Sequence, residues 1–150
     1  MGFFSCFTKD VKDTTQDCVF CDLTDEKIVY KDERIVAFHD INPAAKIHLL
    51  IIPRNHIDSV NSLTLNDISL LKHMIDTGDR LLYEFGFQLP QRSIGFHIPP
   101  YNSVYHLHLH CLGLPYRNRF IGVKYMELMP WYSSGEKILK SLSLLNRSVS

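Results

Sequence analysis

Three histidines at alternate positions, His106-Leu107-His108-Leu109-His110, constrain this chain more than any other feature of it. Alternation of polar and apolar residues is the period of a β-strand, whose successive side chains point to opposite faces. Over a strand at residues 104–112 the three imidazoles share one face, while Leu107, Leu109 and Cys111 share the other and can pack beneath a helix. A solvated strand face would be served equally well by Thr, Lys or Glu, so three histidines in register argue for chemistry. Spacing limits that chemistry. At ~3.4 Å per residue the outer two have Cα atoms about 13 to 14 Å apart, too far for one metal ion to bind all three, and a three-histidine zinc hydrolase site is disfavoured. Division of labour fits better, with one imidazole as nucleophile and its neighbours as orienter and donor.

The rest of the pattern sets this strand in an α+β domain. Residues 28–30 and 35–38 are short β-rich runs separated by the polar turn Lys31-Asp32-Glu33-Arg34, and residues 47–53 read as a buried strand stopped by Pro53. From Leu65 the period changes: Ile68, Leu71, Met74, Ile75, Leu82 and Phe85 recur at three and four, with Thr64 placed to cap and Gly86 to terminate a long helix. A strand at 92–98 follows, joined to the histidine strand through Pro99-Pro100-Tyr101-Asn102. Ser133 and Glu136 form a capping box for a last helix with Ile138, Leu142 and Leu145 on its apolar face. The expectation is a five-stranded, mainly antiparallel sheet with one long helix and a C-terminal helix.

Its 150 residues suit one domain, read as 15–150 behind a flexible lead at 1–14. Lys plus Arg and Asp plus Glu are 16 each, a zero formal charge that speaks against nucleic-acid binding through a broad cationic face. No apolar run approaches the ~20 residues of a membrane helix, so no membrane partner is expected. The opening Met1-Gly2-Phe3-Phe4-Ser5-Cys6 lacks the Ser or Thr at position 6 that a myristoylation signal wants, and no secretory leader is seen. A cytoplasmic location, extending to the nucleus, is the resulting expectation. Cys18-x-x-Cys21 has zinc-ligand spacing, and with no βαβ context a thioredoxin-like role is disfavoured.

His106-Leu107-His108-Leu109-His110-Cys111-Leu112 resembles the signature of the histidine triad (HIT) superfamily of nucleotidyl hydrolases and transferases. Phe38-His39-Asp40-Ile41-Asn42-Pro43-Ala44 is similar to that family's ribose-binding segment. The run His48 to Ile57 resembles its next strand, and Ser103-Val104-Tyr105 leads into the triad as in the Hint branch, the histidine triad nucleotide-binding proteins. Gly95-Phe96-His97-Ile98-Pro99-Pro100 and Trp131-Tyr132 are similar to the third Hint subtype.

The resemblance implies an adenosine 5′-monophosphoramidase that needs no cofactor. His108 would attack the α-phosphorus of AMP linked through nitrogen, with His110 donating to a phosphoryl oxygen, His48 orienting and Ser103 on the leaving amine. Asp40 would accept the ribose hydroxyls, Ile41 and Phe38 would cover the purine, and Asn102 would reach phosphate. Alternatives are a dinucleoside polyphosphate hydrolase of Fhit type, for which Gln rather than Ser103 is expected, and a purine-nucleotide-binding scaffold with little turnover. A DNA deadenylase of aprataxin type is disfavoured, since no zinc-finger segment follows. In some superfamily members a structural zinc is held by residues matching Cys18, Cys21, His56 and His106. A homodimer paired through the long helix is also implied, with Leu70, Leu81 and Leu82 widening that helix's stripe and Trp131 reaching the partner's site.

Overall fold

A computed structural model describes Cys18, Phe20, Leu23 and residues 25–149; the expected lead at 1–14, and Cys21, lie outside the described residues. The elements are β1 (Ile28–Lys31), β2 (Ile35–His39), β3 (Ala45–Pro53), α1 (Ile68–Glu84), β4 (Arg92–His97), β5 (Leu109–Tyr116), α2 (Arg119–Val123), β6 (Tyr132–Ser134) and α3 (Gly135–Val149). All strands join one antiparallel sheet in the order β1-β2-β3-β5-β4-β6.

That sheet has six strands, one more than expected. The additional β6 is three residues long, too short for a period of two to declare itself, and it lies along β4 with Gly95 opposite Ser134 and His97 opposite Tyr132. Gly95 is required there: a Cβ would stand 2.5 Å from the Ser133 carbonyl and 2.6 Å from the Tyr132 ring. The last helix is capped one residue later than expected. Ser134 Oγ accepts from Lys137 N at 3.4 Å, whereas Ser133 is buried in β6 with its hydroxyl unpartnered.

The histidine strand also differs from its expected bounds, for β5 begins only at Leu109. Its neighbour β3 ends at Pro53, and the last ladder pair on that side is Ile51 with Leu109. Residues 106–108 still run along the departing chain, because Leu107 N donates to Ile57 O at 2.6 Å and His106 Nε2 donates to Pro53 O at 3.0 Å. The alternation survives without the strand.

Burial sorts the two faces. Ile35, Ala37, Leu49, Ile51, Leu107, Leu109 and Cys111 pack against Leu71, Met74, Leu81 and Leu82 of α1 and Leu142 of α3, each fully buried aliphatic contributing ~1.5–3 kcal/mol. Helix and sheet approach so closely at Gly78 that a Cβ would lie 2.5 Å from Cys111 Sγ. The stripe leucines meant to support a dimer are spent here: Leu81 and Leu82 are core residues and Leu70 packs against them. Gly86, with φ of 93°, ends α1 in a Schellman turn in which Phe87 N reaches Leu82 O and Gly86 N reaches Tyr83 O.

The β1–β2 hairpin is clamped to α1 by Asp32. Its Oδ1 accepts from Arg34 N and Ile35 N, and its Oδ2 accepts from Tyr30 Oη at 2.8 Å and His73 Nε2 at 2.6 Å. Burial opposes ionisation, but these donors outweigh it and hold the carboxyl well below the usual carboxylate range. A depressed pKa stabilises the fold at pH above the unfolded value near ~4, and that contribution fades as pH falls below it. Asp32→Asn should therefore cost about 1–2 kcal/mol in urea unfolding at pH 7 and much less at about pH 2, the loss growing as pH falls towards the folded value. An equal cost at both values would show that the charge contributes nothing.

Candidate active site

The site lies on the sheet face turned away from α1. Register puts His48 of β3 opposite Leu112 of β5, and His110 opposite both Leu50 and Gly95, so even-numbered side chains gather on this face. His48, His106, His108 and His110 are 2%, 0%, 6% and 5% exposed. Two pieces of chain lie over them. Phe20 packs edge-to-face, its ring centroid 5.3 Å from that of His108 and 5.5 Å from that of Phe38, and a strap at 117–131 lays Tyr125 against His48, His97 and His110.

Hydrogen bonds settle where each ring carries its proton. His108 Nδ1 is 2.7 Å from the His106 carbonyl; a carbonyl only accepts, so Nδ1 carries the hydrogen and Nε2 keeps its lone pair. The other three rings form a chain with backbone at both ends. Ala44 N–H donates to His48 Nδ1 at 3.1 Å, which leaves the hydrogen on His48 Nε2, 2.9 Å from His110 Nδ1. His110 Nε2 is 3.0 Å from His97 Nδ1, and His97 Nε2 is 3.0 Å from the Lys124 carbonyl. Between a fixed donor and a fixed acceptor, one arrangement of neutral rings satisfies every bond: Nε2–H on His48, His110 and His97.

Burial reinforces neutrality. It depresses the pKa of His48, His108 and His110, most strongly for His110, where His108 and His48 add further repulsion. The Asp40 carboxylate, 3.5 Å from His48 Nε2, works against burial at His48 and His108. Burial also raises Tyr125 to about 12, so its phenol stays protonated.

Other expected residues are placed unevenly. Asp40 is partly buried beside His48, and Ile41 is 80% exposed at the rim. Phe38 is buried with Val36, Leu50 and Ile52, so its ring belongs to a small core as much as to a site. Asn102 lines a small cavity with His97 and His108; its Nδ2 donates to Val104 O, and its Oδ1 is buried without a partner. Ser103 is exposed on the approach to the triad. His97, Tyr125 and Phe20 were not selected from sequence. His97 was legible as the sole polar side chain within Gly95-Phe96-His97-Ile98, whereas no local pattern marks Tyr125 or Phe20.

A second cluster borders the first. The ligating atoms of Cys18, His56 and His106 lie within 4.8 Å of one another, with Cys18 Sγ 3.3 Å from His106 Nδ1. Both imidazoles use Nε2 elsewhere, His106 on Pro53 O and His56 on Asp58 at 2.9 Å, which turns each Nδ1 into the available ligand atom. Asp40, His48 and His110 converge as closely, but the nitrogens of both rings are already engaged in the hydrogen-bonded chain.

The sheet thus presents a neutral, lone-pair-bearing imidazole among buried histidines, an arrangement that suits histidine-based catalysis. Residues 17–126 match the family described as "Scavenger mRNA decapping enzyme C-term binding". The chain is 46% identical over 121 residues to the bifunctional adenosine 5′-phosphosulfate phosphorylase/adenylylsulfatase HINT4 of Arabidopsis thaliana, covering 77% of this chain and 82% of the relative. It is 38% identical over 149 residues to the adenosine 5′-monophosphoramidase HINT3 of Danio rerio, covering 92% of each. The crystal structure of a HIT family hydrolase from Legionella pneumophila superposes with a TM-score of 0.63 at 32% identity, over 69% of this chain and 97% of that one. The chain belongs to the histidine triad superfamily, in its Hint branch, and is a hydrolase.

The tautomers are directly testable. ¹⁵N-histidine spectra at neutral pH should show the Nδ1–H form for His108 and the Nε2–H form for His48, His97 and His110. A mixture of forms at His108 would contradict the bond to His106.

Proposed function

We propose that this hydrolase cleaves AMP from substrates in which the phosphate is linked through nitrogen, of the AMP-lysine or aminoacyl-adenylate type, giving AMP and an amine. The observation that carries the reading is His108, whose Nδ1–H is held by the His106 carbonyl so that the Nε2 lone pair is available at neutral pH. Nucleophilic attack by Nε2 forms a P–N bond to the α-phosphorus and releases the amine; water then cleaves that bond to yield AMP and free His108. His110, its ring held by His48, donates Nε2–H to a phosphoryl oxygen as charge develops. Ser103 assists the departing amine, Asp40 accepts from the ribose hydroxyls, Ile41 and Phe38 border the purine, and Asn102 borders the phosphate. The Danio rerio relative's name supports this substrate class.

A second reading has its own support. The Arabidopsis thaliana relative is named for adenosine 5′-phosphosulfate, in which sulfate takes the amine's place on AMP. The two share a nucleotide and differ in leaving group, so kcat/KM on AMP-amide and on adenosine 5′-phosphosulfate ranks them. For either substrate His108→Ala should lower turnover by at least roughly 10³-fold, and single-turnover labelling should trap AMP on wild-type His108 alone. Wild-type rates in that variant would remove the covalent route.

Zinc at Cys18, Cys21, His56 and His106 would be structural, because four protein ligands leave no position for a reactive water. Elemental analysis should find one zinc per chain, and chelation should lower Tm while sparing most turnover. Loss of turnover in a chelated protein that stays folded would instead make the metal part of the chemistry. The family resemblance also supports a homodimer. Beyond the stretch Gly95–His97 that β6 covers, the edge of β4 turned away from β5 at 92–94 has no strand partner among the described residues, and exposed Tyr83 and Leu89 lie near it. Sedimentation at twice 17.4 kDa is expected.

A further inference from the structure

We infer that Tyr125 is a catalytic hydrogen-bond donor: its phenolic O–H binds one non-bridging oxygen of the substrate's α-phosphoryl group while His110 binds the other. The inference rests on the adenylate reading above and deepens it.

Donors are scarce where the phosphoryl group would sit. It brings two non-bridging oxygens and a negative charge to a face of neutral, buried rings, and a buried anion without compensation is costly. The small cavity beside His108 is lined by no Lys or Arg. His110 offers its Nε2–H. Other ring hydrogens are committed: His48 Nε2–H to His110, His108 Nδ1–H to the His106 carbonyl and His97 Nε2–H to the Lys124 carbonyl. Asn102 keeps an Nδ2 hydrogen on Val104 O and leaves its Oδ1, an acceptor, unpartnered. The Lys124 side chain stands in solvent, which screens its charge.

Tyr125 supplies what is missing. Its ring stands edge-on to His110 and His48, with centroids 5.3 and 5.6 Å apart, and it is half-buried rather than sealed. Its hydroxyl has no hydrogen-bond partner among the described residues. A phenylalanine would pack against the same rings, so the hydroxyl adds nothing to the resting fold and finds a use when an acceptor arrives. The Asp40 carboxylate, beside His48, acts on the phenol too, so the hydroxyl lies within electrostatic reach of the residue read as the ribose acceptor. Tyr132, by contrast, is 2% exposed and closed off from a ligand.

The donor is also held in advance. Lys124 O is fixed by His97 Nε2–H, Tyr125 N donates to Gly122 O at 3.0 Å, and the ring stacks on Tyr116 with an interplanar angle of 18°. A donor fixed before substrate arrives needs no reorganisation when charge develops on phosphorus. Burial, with Asp40 and Tyr116 adding to it, pushes the phenol up to about 12, so the hydrogen is present at neutral pH and stays on Tyr125 throughout. Phe20 lies over His108 and Tyr125 over His110, and the phosphoryl group enters between them.

The test uses adenosine 5′-phosphoramidate and the two diastereomers of its phosphorothioate form, in which sulfur, a weak acceptor, replaces one or the other non-bridging oxygen. Tyr125→Phe and Tyr125→Met remove the hydroxyl and keep apolar bulk. Both should lower kcat/KM on the oxygen substrate by roughly 10- to 100-fold. They should slow one diastereomer as much, and leave the other, whose sulfur already faces position 125, within about twofold of wild type. The ratio between diastereomers therefore changes by that same factor, which lost packing or lost burial around the histidines would not produce. Wild-type rates on the oxygen substrate in both variants, or equal slowing of the two diastereomers, would overturn the inference alone. No turnover of the amide by wild type would overturn the adenylate reading and this inference with it.

Discussion

The β3–β5 register is the constraint on which the rest of the structure depends. With Ile51 opposite Leu109 and Leu49 opposite Cys111, the odd-numbered Leu49, Ile51, Leu109 and Cys111 face α1, and the even-numbered His48, Leu50, His110 and Leu112 face the other way. A slip of one residue would drive His48 and His110 into the apolar layer under the helix and expose Leu49, Ile51 and Leu109. Core and site are thus two faces of a single pairing. The close approach of Gly78 to Cys111 holds the helix over one face and leaves the other to be covered by loops.

Those covering pieces turn a polar sheet face into a dry one. Imidazoles on an open sheet would titrate near neutrality, and about half of the nucleophile would be lost to protonation around pH 6.5. Phe20 over His108 and Tyr125 over His110 remove water, and burial lowers the histidines' affinity for protons. Neutrality alone would leave the tautomers undecided. Backbone groups decide them: the His106 carbonyl for His108, and the Ala44 amide and Lys124 carbonyl for the three-ring chain. Electrostatics and hydrogen bonding therefore do separate jobs, the first removing charge and the second choosing which nitrogen is the base.

Legibility from sequence followed the range of each interaction. The alternation of the triad, the period of α1, its Gly86 end and the three-strand meander are local patterns, and each lies close to where the sequence puts it, whereas Thr64 caps a 3₁₀ turn at Leu65–Asp67 and α1 starts only at Ile68. What escaped is set by distant chain. The start of β5 depends on where Pro53 takes β3 away, some fifty residues earlier, and β6 exists because Gly95 leaves room beside β4 for three residues with no periodicity. The leucines of α1 read ambiguously for the complementary reason. A stripe wider than one face reads as a second interface, whereas Leu81 and Leu82 lie in this chain's own core and Leu70 packs against it, so these residues neither support nor oppose a dimer.

The strap shows the same limit at the site itself. Nothing in Arg117 to Trp131 has the composition of a catalytic segment, and its decisive atom is a main-chain oxygen that any residue at position 124 could supply. What the sequence does specify is how that oxygen is held. Arg117 N bonds Ala44 O at 2.9 Å at one end of the strap, and Trp131 O accepts from Ile98 N at the other. Between them Asn118 caps α2 through Ile121 N, and Trp131 Nε1 donates to Val123 O. Ala44 is both the strap's anchor and the donor that begins the histidine chain, so the two backbone ends of that chain belong to one connected piece of structure. Displacement of the strap would release the acceptor at His97 and disturb the support around the donor at His48 together. A site whose proton positions rest on two backbone groups joined in this way keeps its tautomers only while the strap is seated.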